Sequence, residues 1–377
     1  MNILCISHEF PPIGGGGATA CKNITQKYAA RGHSVTVMTA AFEDTPPFER
    51  NEGVNIIRLK CKRANKDNSS FAEMLSFLLC AFRQVPKIIK KEKFDVVHIF
   101  FGIPSGPLGW YIKKRYNIPY IVRLGGGDIP GTQKRFDKIY TLISPFLKMI
   151  WRNADHVTAN SSGLLERARR YYHKANFSVI PNGINIEDYP DEKTTRSNGK
   201  LQLITTARIV ERKGIQHVID TLSALVKETD GNILYTIVGD GPYRKEIEEL
   251  AVKLGVSEYI EITGILPFSD VMKKLQSADI FVLMSHWEGM PNVVLEAMAS
   301  HLPIIMTNCE GSSELIEDNG FIIDLNSDIS AELAKTVKVL YNSTELMKKM
   351  GHKSYERVRD NFSWERTAEE YLGLFVL

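Results

Sequence analysis

The chain has 377 residues, 44% of them hydrophobic and 24% charged, too many for one hydrophobic core and ordinary for globular protein, so two domains are expected and disorder or a fibrous repeat is excluded as the main architecture. The net charge of +3 hides an asymmetry: residues 1–190 hold 27 Lys and Arg against 15 Asp and Glu, and residues 191–377 hold 20 against 29. The two halves are therefore expected to face different partners, the basic one an anionic surface or ligand, unless the bias is only drift in solvated charge.

From the N-terminus, residues 3–7 form an apolar strand-like run, with neither the basic stretch nor the small-residue cleavage site of a signal peptide. A helix is expected over 18–31, ending at Gly32, then strands over 34–39 and 54–59 and a long amphipathic helix over 71–91. Further strands at 96–100, 120–124 and 156–159, with helices between them, complete a β-α-β rhythm that implies a parallel doubly wound α/β sheet. Residues 186–200 are polar and lack periodicity, with Pro181 and Pro190 nearby, and mark the domain junction. The rhythm then restarts, with strands over 202–206, 233–238, 260–263, 280–284 and 303–307 and helices over 215–228, 243–254, 269–276 and 292–300. The longest apolar runs, 280–284 among them, fall far short of the roughly 20 residues that cross a bilayer. The five cysteines (Cys5, Cys21, Cys61, Cys80 and Cys309) are scattered and form no C-x-x-C. Neither a disulfide framework nor a zinc site is suggested, and a reducing cytoplasm is the expected setting.

Ligands of doubly wound sheets bind outside the carboxyl ends of the strands, so the strand-to-helix loops are where chemistry is expected. The first carries Gly14, Gly15, Gly16 and Gly17 before a helix, where backbone N–H groups can approach a phosphate. Gly15-x-Gly17-x-x-Ala20 also matches the dinucleotide fingerprint, but about seven residues separate it from the strand. The loop after 202–206 presents Arg208 and Lys213, a fork and a point charge suited to a diphosphate or ordinary surface cations. Gly239, Asp240 and Gly241 form another glycine-rich exit, where Asp240 serves either as a helix cap or as a ligand contact. After the strand at 280–284 come Glu288, Met290, Pro291, Asn292, Val293 and Glu296. Pro291 suits a helix start, and the N–H groups around Asn292, Val293 and Val294 would be available to an anion. Glu288 and Glu296 could each accept from the hydroxyls of a sugar or ribose, or Glu296 could simply favour the helix dipole. No D-x-D occurs anywhere, so no metal held by paired aspartates is expected, and a diphosphate would be met by Arg, Lys and backbone N–H groups.

Taken together, the P-P-x-x-G-G of residues 11–16, the A-R-x(4)-K-G of residues 207–214, the G-D-G-P of residues 239–242, the E-x(7)-E at Glu288 and Glu296, and Ile180-Pro181-Asn182-Gly183-Ile184-Asn185 resemble glycosyltransferase family 4 over essentially the whole chain. The resemblance implies the GT-B fold, two Rossmann-like domains facing a cleft, and transfer of a sugar from a nucleotide-diphosphate donor with retention of configuration. It implies an acceptor-binding domain over 1–185, a linker over 186–200, a nucleotide-sugar domain over 201–358 and a C-terminal helix over 359–377 that returns to the first domain. Gly15 and Gly16 would contact the donor near its distal phosphate. Arg208 and Lys213 would bind the diphosphate, Glu288 the donor-sugar hydroxyls, and Met290, Pro291, Asn292 and Val293 would line sugar and phosphate. Glu296 would hold the ribose, Gly239 and Gly241 would border the donor, and Gly264, Ile265 and Leu266 would cradle the base. No cofactor is implied, since the nucleotide-sugar is a substrate, and no nucleic acid. Many family members carry His or Arg where this chain has Gly125; Gly127, Asp128 and His98 are further site candidates, with Arg123 another replacement.

A nucleotide-sugar 2-epimerase of the same architecture and an NAD-dependent dehydrogenase are the alternatives. The first is distinguished by products formed without acceptor, the second by nicotinamide binding. The first half also pairs apolar stripes with cations. Phe71, Met74, Leu75, Phe77, Leu78 and Phe82 precede Lys87, Lys90, Lys91 and Lys93. Leu142, Ile143, Phe146, Leu147, Ile150 and Trp151 are accompanied by Lys134, Arg135, Lys138, Lys148 and Arg152. Either the stripes pack on the first sheet, or the enzyme rests on an anionic leaflet at the inner face of the cell membrane and glycosylates a glycan or lipid-linked acceptor in cell-surface polysaccharide assembly.

Overall fold

The computed structural model describes residues 1–66, 69–130, 137–193 and 199–375, which fall into two compact units, Met1–Asn182 with Trp364–Leu377 and Gly183–Ser363. In the first unit the chain runs β1 (Asn2–Ile6), α1 (Gly16–Ala30), β2 (Ser34–Ala40), β3 (Phe48–Asn51), β4 (Val54–Leu59), α2 (Phe71–Lys91), β5 (Val96–Phe100), α3 (Gly106–Tyr116), β6 (Tyr120–Arg123), α4 (Asp137–Asn153), β7 (His156–Ala159), α5 (Ser162–Tyr171) and β8 (Phe177–Val179). The sheet order is β3-β4-β2-β1-β5-β6-β7-β8. Every pairing is parallel except β3 with β4. Successive strands leave β1 in opposite directions, so the exits of β1 and β5 lie side by side at the switch point.

The second unit runs β9 (Leu201–Thr206), α6 (Ile215–Glu228), β10 (Ile233–Val238), α7 (Arg244–Lys253), β11 (Ile260–Gly264), α8 (Phe268–Ser277), β12 (Ile280–Leu283), α9 (Asn292–Ala299), β13 (Ile304–Thr307), α10 (Ser312–Leu315), β14 (Gly320–Ile323), α11 (Ile329–Tyr341) and α12 (Thr344–Asn361). Its six strands are ordered β11-β10-β9-β12-β13-β14, all parallel. Here the switch point lies between β9 and β12. The last helix, α13 (Trp364–Phe375), belongs to the first unit, where it packs on α1 and buries Trp364, Tyr371 and Phe375.

The expected junction at 186–200 and the expected start of the final segment at 359 both shift. The chain leaves the first unit after Asn182, because Ile184 and Tyr189 are already buried in the second core and the Ile184 N–H donates to the Phe362 carbonyl at 2.8 Å. It returns at Trp364, because α12 runs on to Asn361 and buries Val358 and Phe362 in that same core. Residues 194–198 of the expected linker lie outside the described residues.

The two apolar stripes divide. Phe77, Leu147, Ile150 and Trp151 are buried in the first unit's core, whereas Phe71, Leu75 and Leu79 of α2 and Leu142 and Phe146 of α4 stay exposed. Spacings of four and eight residues place Phe71, Leu75 and Leu79 on one line along α2. The helix α3 touches both α2 and α4. Lys87, Lys90, Lys91 and Lys93 are exposed. Lys134, Arg135 and Phe136 lie outside the described residues, as does the side chain of Lys138. Among the described residues no helix is long and apolar enough to cross a membrane.

Candidate active site

The switch point of the second sheet explains why residues distant in sequence meet. The β9 exit carries residues 207–214, and the β12 exit carries residues 285–291. Gly214 joins them: it sits at φ +69°, and a Cβ there would stand 1.9 Å from the Met284 carbonyl oxygen, so only glycine lets the first turn of α6 close against the end of β12. Across the same seam the His286 N–H donates to the Arg212 carbonyl at 2.9 Å.

These closures bring Lys213 Nζ onto Glu288 Oε1 as an ion pair. Both side chains are largely buried, 12% and 11% exposed. Arg212 stands 3.9 Å from the same carboxylate oxygen and lies over the Trp287 ring at 4.9 Å. Lys213 and Glu288 were expected to serve different parts of a donor; the structure joins them first to each other. An ammonium has three donors, and one is engaged by Glu288. Arg208 is exposed at the mouth of the β9 exit. Burial, then the charges of Glu288 and Glu310, push the Cys309 thiol beside them up to about 12, so it stays protonated.

The neighbouring exits line up with this pair. The Gly239 N–H donates to the Gly264 carbonyl at 2.9 Å, and the Ile209 N–H to the Asp240 carbonyl at 2.9 Å. Gly239 and Gly241 thus border the β9 exit directly, where a Cβ on either would meet the Ala207 or Ile209 carbonyl. Gly264 ends β11; Ile265 beyond it is 80% exposed, and Leu266 packs on the core. Asp240 turns back to accept from the Gly241 N–H at 2.7 Å.

Met290 is buried, Pro291 caps α9, and Asn292 and Val293 are half-buried in its first turn. The Val294 N–H is not available to an anion as expected, because it donates to the Pro291 carbonyl at 3.0 Å. Glu296 follows in the second turn of α9. Burial raises its carboxyl to about 7. Its charge bears on the buried hydroxyl of Tyr189, which finds no hydrogen-bond partner among the described residues. Tyr189 was not singled out in the sequence, where it sits in a polar stretch without periodicity.

In the first unit the β1 exit holds Gly15 as the cap of α1 and Gly16 as its first residue, both exposed. Next in the chain, Gly17 faces Phe101, which sits at φ +68° on the β5 exit. A Cβ on Gly17 would lie 2.4 Å from the Phe101 ring and one on Gly125 2.6 Å from it. The His8 ring meets Phe101 edge-on at 4.9 Å, and burial lowers the His8 pKa to about 4. The residue missing at Gly125 is thus displaced by Phe101, which carried no sequence signal because its contacts are formed only where three strand exits converge.

The further candidates take structural roles. The Asp128 carboxylate accepts from the Gly102 and Gly125 N–H groups at 2.5 and 2.9 Å, tying two exits together. The Gly127 carbonyl accepts from the Tyr140 hydroxyl at 2.6 Å. His98 is wholly buried among Tyr28, Phe100, Tyr371 and Phe375, out of reach of any substrate in this arrangement. Arg123 is likewise buried, donating to Asn182.

Two family models together span residues 14–357. The Glycosyltransferase Family 4 model matches residues 14–188, and the model described as Glycosyl transferases group 1 matches residues 188–357. The chain is 26% identical over 362 residues to the alpha-monoglucosyldiacylglycerol synthase of Acholeplasma laidlawii, covering 88% of this chain and 87% of that one. Among solved structures, the sucrose-phosphate synthase of Thermosynechococcus elongatus superposes with a TM-score of 0.85 at 20% identity, over 100% of this chain and 98% of that one. Anabaena HepE in complex with UDP and glucose superposes at 0.76 and 19% identity, over 100% of both chains. Two parallel doubly wound domains of the GT-B fold, with both family models meeting at residue 188, make this chain a glycosyltransferase of family 4, an enzyme that uses nucleotide-sugar donors.

Proposed function

We propose that the enzyme is a retaining hexosyltransferase that takes a sugar from a UDP- or GDP-sugar and places it on a glycan or lipid-linked acceptor at the inner face of the cell membrane, during cell-surface polysaccharide assembly. The observation that carries the donor side is the Lys213–Glu288 pair at the β9/β12 switch point, with Arg208 exposed on the same β9 exit and Gly239, Gly241 and Gly264 at the neighbouring exits. Arg208 and Lys213 meet the diphosphate. Glu288 takes donor-sugar hydroxyls while holding Lys213 in place. Met290, Pro291, Asn292 and Val293 line the sugar and phosphate, Ile265 and Leu266 the base, and Glu296 takes the ribose hydroxyls. Gly15 and Gly16 are read as donor contacts near the distal phosphate, as the family resemblance implies.

The reaction is a front-face displacement. As the bond to the leaving phosphate lengthens and the sugar carbon takes on oxocarbenium character, the phosphate accepts the acceptor hydroxyl's proton. Arg208 and Lys213 stabilise the charge that grows on the departing diphosphate, the largest contribution asked of the protein. The acceptor side rests on the basic first half, the exposed Phe71, Leu75 and Leu79 on a helix whose far end carries exposed lysines, and the likeness to an alpha-monoglucosyldiacylglycerol synthase. A hydrolysis panel of UDP-, GDP- and ADP-sugars, with the anomer released read by NMR, tests the donor reading. Release of an unchanged anomer from one UDP- or GDP-sugar is expected; release from none of them, or inversion, overturns it.

A further inference from the structure

Beside the Lys213–Glu288 pair, but not part of it, two imidazoles face each other. His217 lies in the first turn of α6, and His286 lies on the β12 exit, two residues before Glu288. Their rings stack at 5.6 Å and 24°, and their Nε2 atoms are 3.4 Å apart. As a hydrogen bond this contact is long. As two ligands of one ion it has the right spacing: nitrogens each about 2.1 Å from a common centre and 3.4 Å apart subtend about 108°, close to the tetrahedral angle.

We infer that His217 and His286 form a binding site for a divalent transition-metal ion of the zinc, nickel or copper kind, with water in the remaining positions. Imidazole nitrogen suits these ions and not magnesium or calcium. His286 is exposed and His217 half-buried, so an ion reaches the pair from solvent while one ligand is held by the helix. The nearby charges permit it. Asp220, one turn further along α6, sets a negative charge against His217, and Glu288 neutralises Lys213. An ion there ties His286 directly to α6, adding to the His286 N–H bond to the Arg212 carbonyl and the Lys213–Glu288 ion pair that already join the β9 and β12 exits.

The test uses the full, tag-free chain. Isothermal titration with Ni²⁺ should show one site, weakened at least about tenfold by His217→Ala and by His286→Ala, since losing a ligand costs no less than losing a ligand's outer partner. Bound Cu²⁺ should show electron-spin couplings to two imidazole nitrogens, reduced to one in either variant. UDP-induced thermal shifts retained in both variants show that they are folded and keep the donor site. Nickel affinity unchanged in either single variant, or copper couplings that do not change, would overturn the site, whatever becomes of the donor reading.

Discussion

Lys213 and Glu288 are 75 residues apart in the chain, and their side chains form a largely buried ion pair at the point where two neighbouring strands end. The pair predicts a separation of stability from activity. Lys213→Ala and Arg208→Ala should each lower sugar transfer by roughly 10²- to 10³-fold, the scale for removing one preorganised charge stabiliser. Lys213→Ala should also destabilise the second unit, by about 1–3 kcal/mol, because among the described residues it leaves the buried Glu288 carboxylate with Arg212, at 3.9 Å, as its ion-pair partner. Arg208→Ala should not, being exposed. The double variant Lys213→Met/Glu288→Gln should recover stability while staying inactive. Urea midpoints and initial rates check both halves; activity within a few-fold of wild type in the single variants would remove Lys213 and Arg208 from the mechanism.

Phe101 predicts a second coupling. A side chain at Gly125 runs into its ring, so Gly125→Ala should cost about 1–3 kcal/mol from overpacking. Phe101→Ala opens that space. In Phe101→Ala the added Gly125→Ala should then cost less than it does alone. Equal costs in both backgrounds, read as urea midpoints, would mean that the ring yields freely and does not exclude a side chain there.

Glu296 predicts a pH dependence. Its carboxyl sits at about 7 in the folded protein, above the unfolded value of 4.5, so between these values the native state holds a proton that the unfolded chain releases. Stability from this group is therefore present below about pH 4.5 and lost as pH rises through about 7. Glu296→Gln removes the cost of ionising it. The variant should gain on wild type by up to about 3 kcal/mol at pH 8 and by little at pH 4, with a smaller thermal shift from UDP. A constant difference across that range would show that the carboxyl is not perturbed.

What the sequence made legible follows the range of the interactions. The long apolar strands at 54–59, 96–100 and 233–238 and the helices at 71–91 and 215–228 carry their own periodicity, and the structure places them at those positions. β3, with only four residues and three of them polar, and β14, which begins at Gly320, carry no such pattern and were not expected. The loops bearing Arg208, Lys213, Glu288 and Glu296 were recognisable from their place after strands and from their resemblance to a family. That Lys213 pairs with Glu288 was not, because it depends on β12 lying beside β9 rather than beside β11. Likewise His98 reads only as a polar residue within the apolar strand at 96–100, and the packing of α13 shows it enclosed by Tyr371 and Phe375.

The acceptor side predicts membrane binding with a specific charge dependence. Phe71, Leu75 and Leu79 are 42%, 45% and 52% exposed along one line of α2. Leu142 and Phe146 are 82% and 40% exposed on α4, which is linked to α2 through α3. Packing on the sheet accounts for Phe77, Leu147, Ile150 and Trp151 and leaves these five unexplained. Exposed apolar side chains on a helix that ends in Lys87, Lys90 and Lys91, with Lys93 just beyond it, suit an anionic lipid surface, where each well-placed cation contributes about 1 kcal/mol and salt screens it. Vesicles containing anionic lipid should carry the protein upward in a flotation gradient at low salt, and added salt should release it. Changing the four lysines to Gln should weaken recovery by two orders of magnitude or more in partition constant, at about 1 kcal/mol each. Leu75→Ser and Leu79→Ser should weaken it without changing the salt response. Equal recovery with neutral and anionic vesicles, or none at low salt, would leave an enzyme that meets its acceptor in solution.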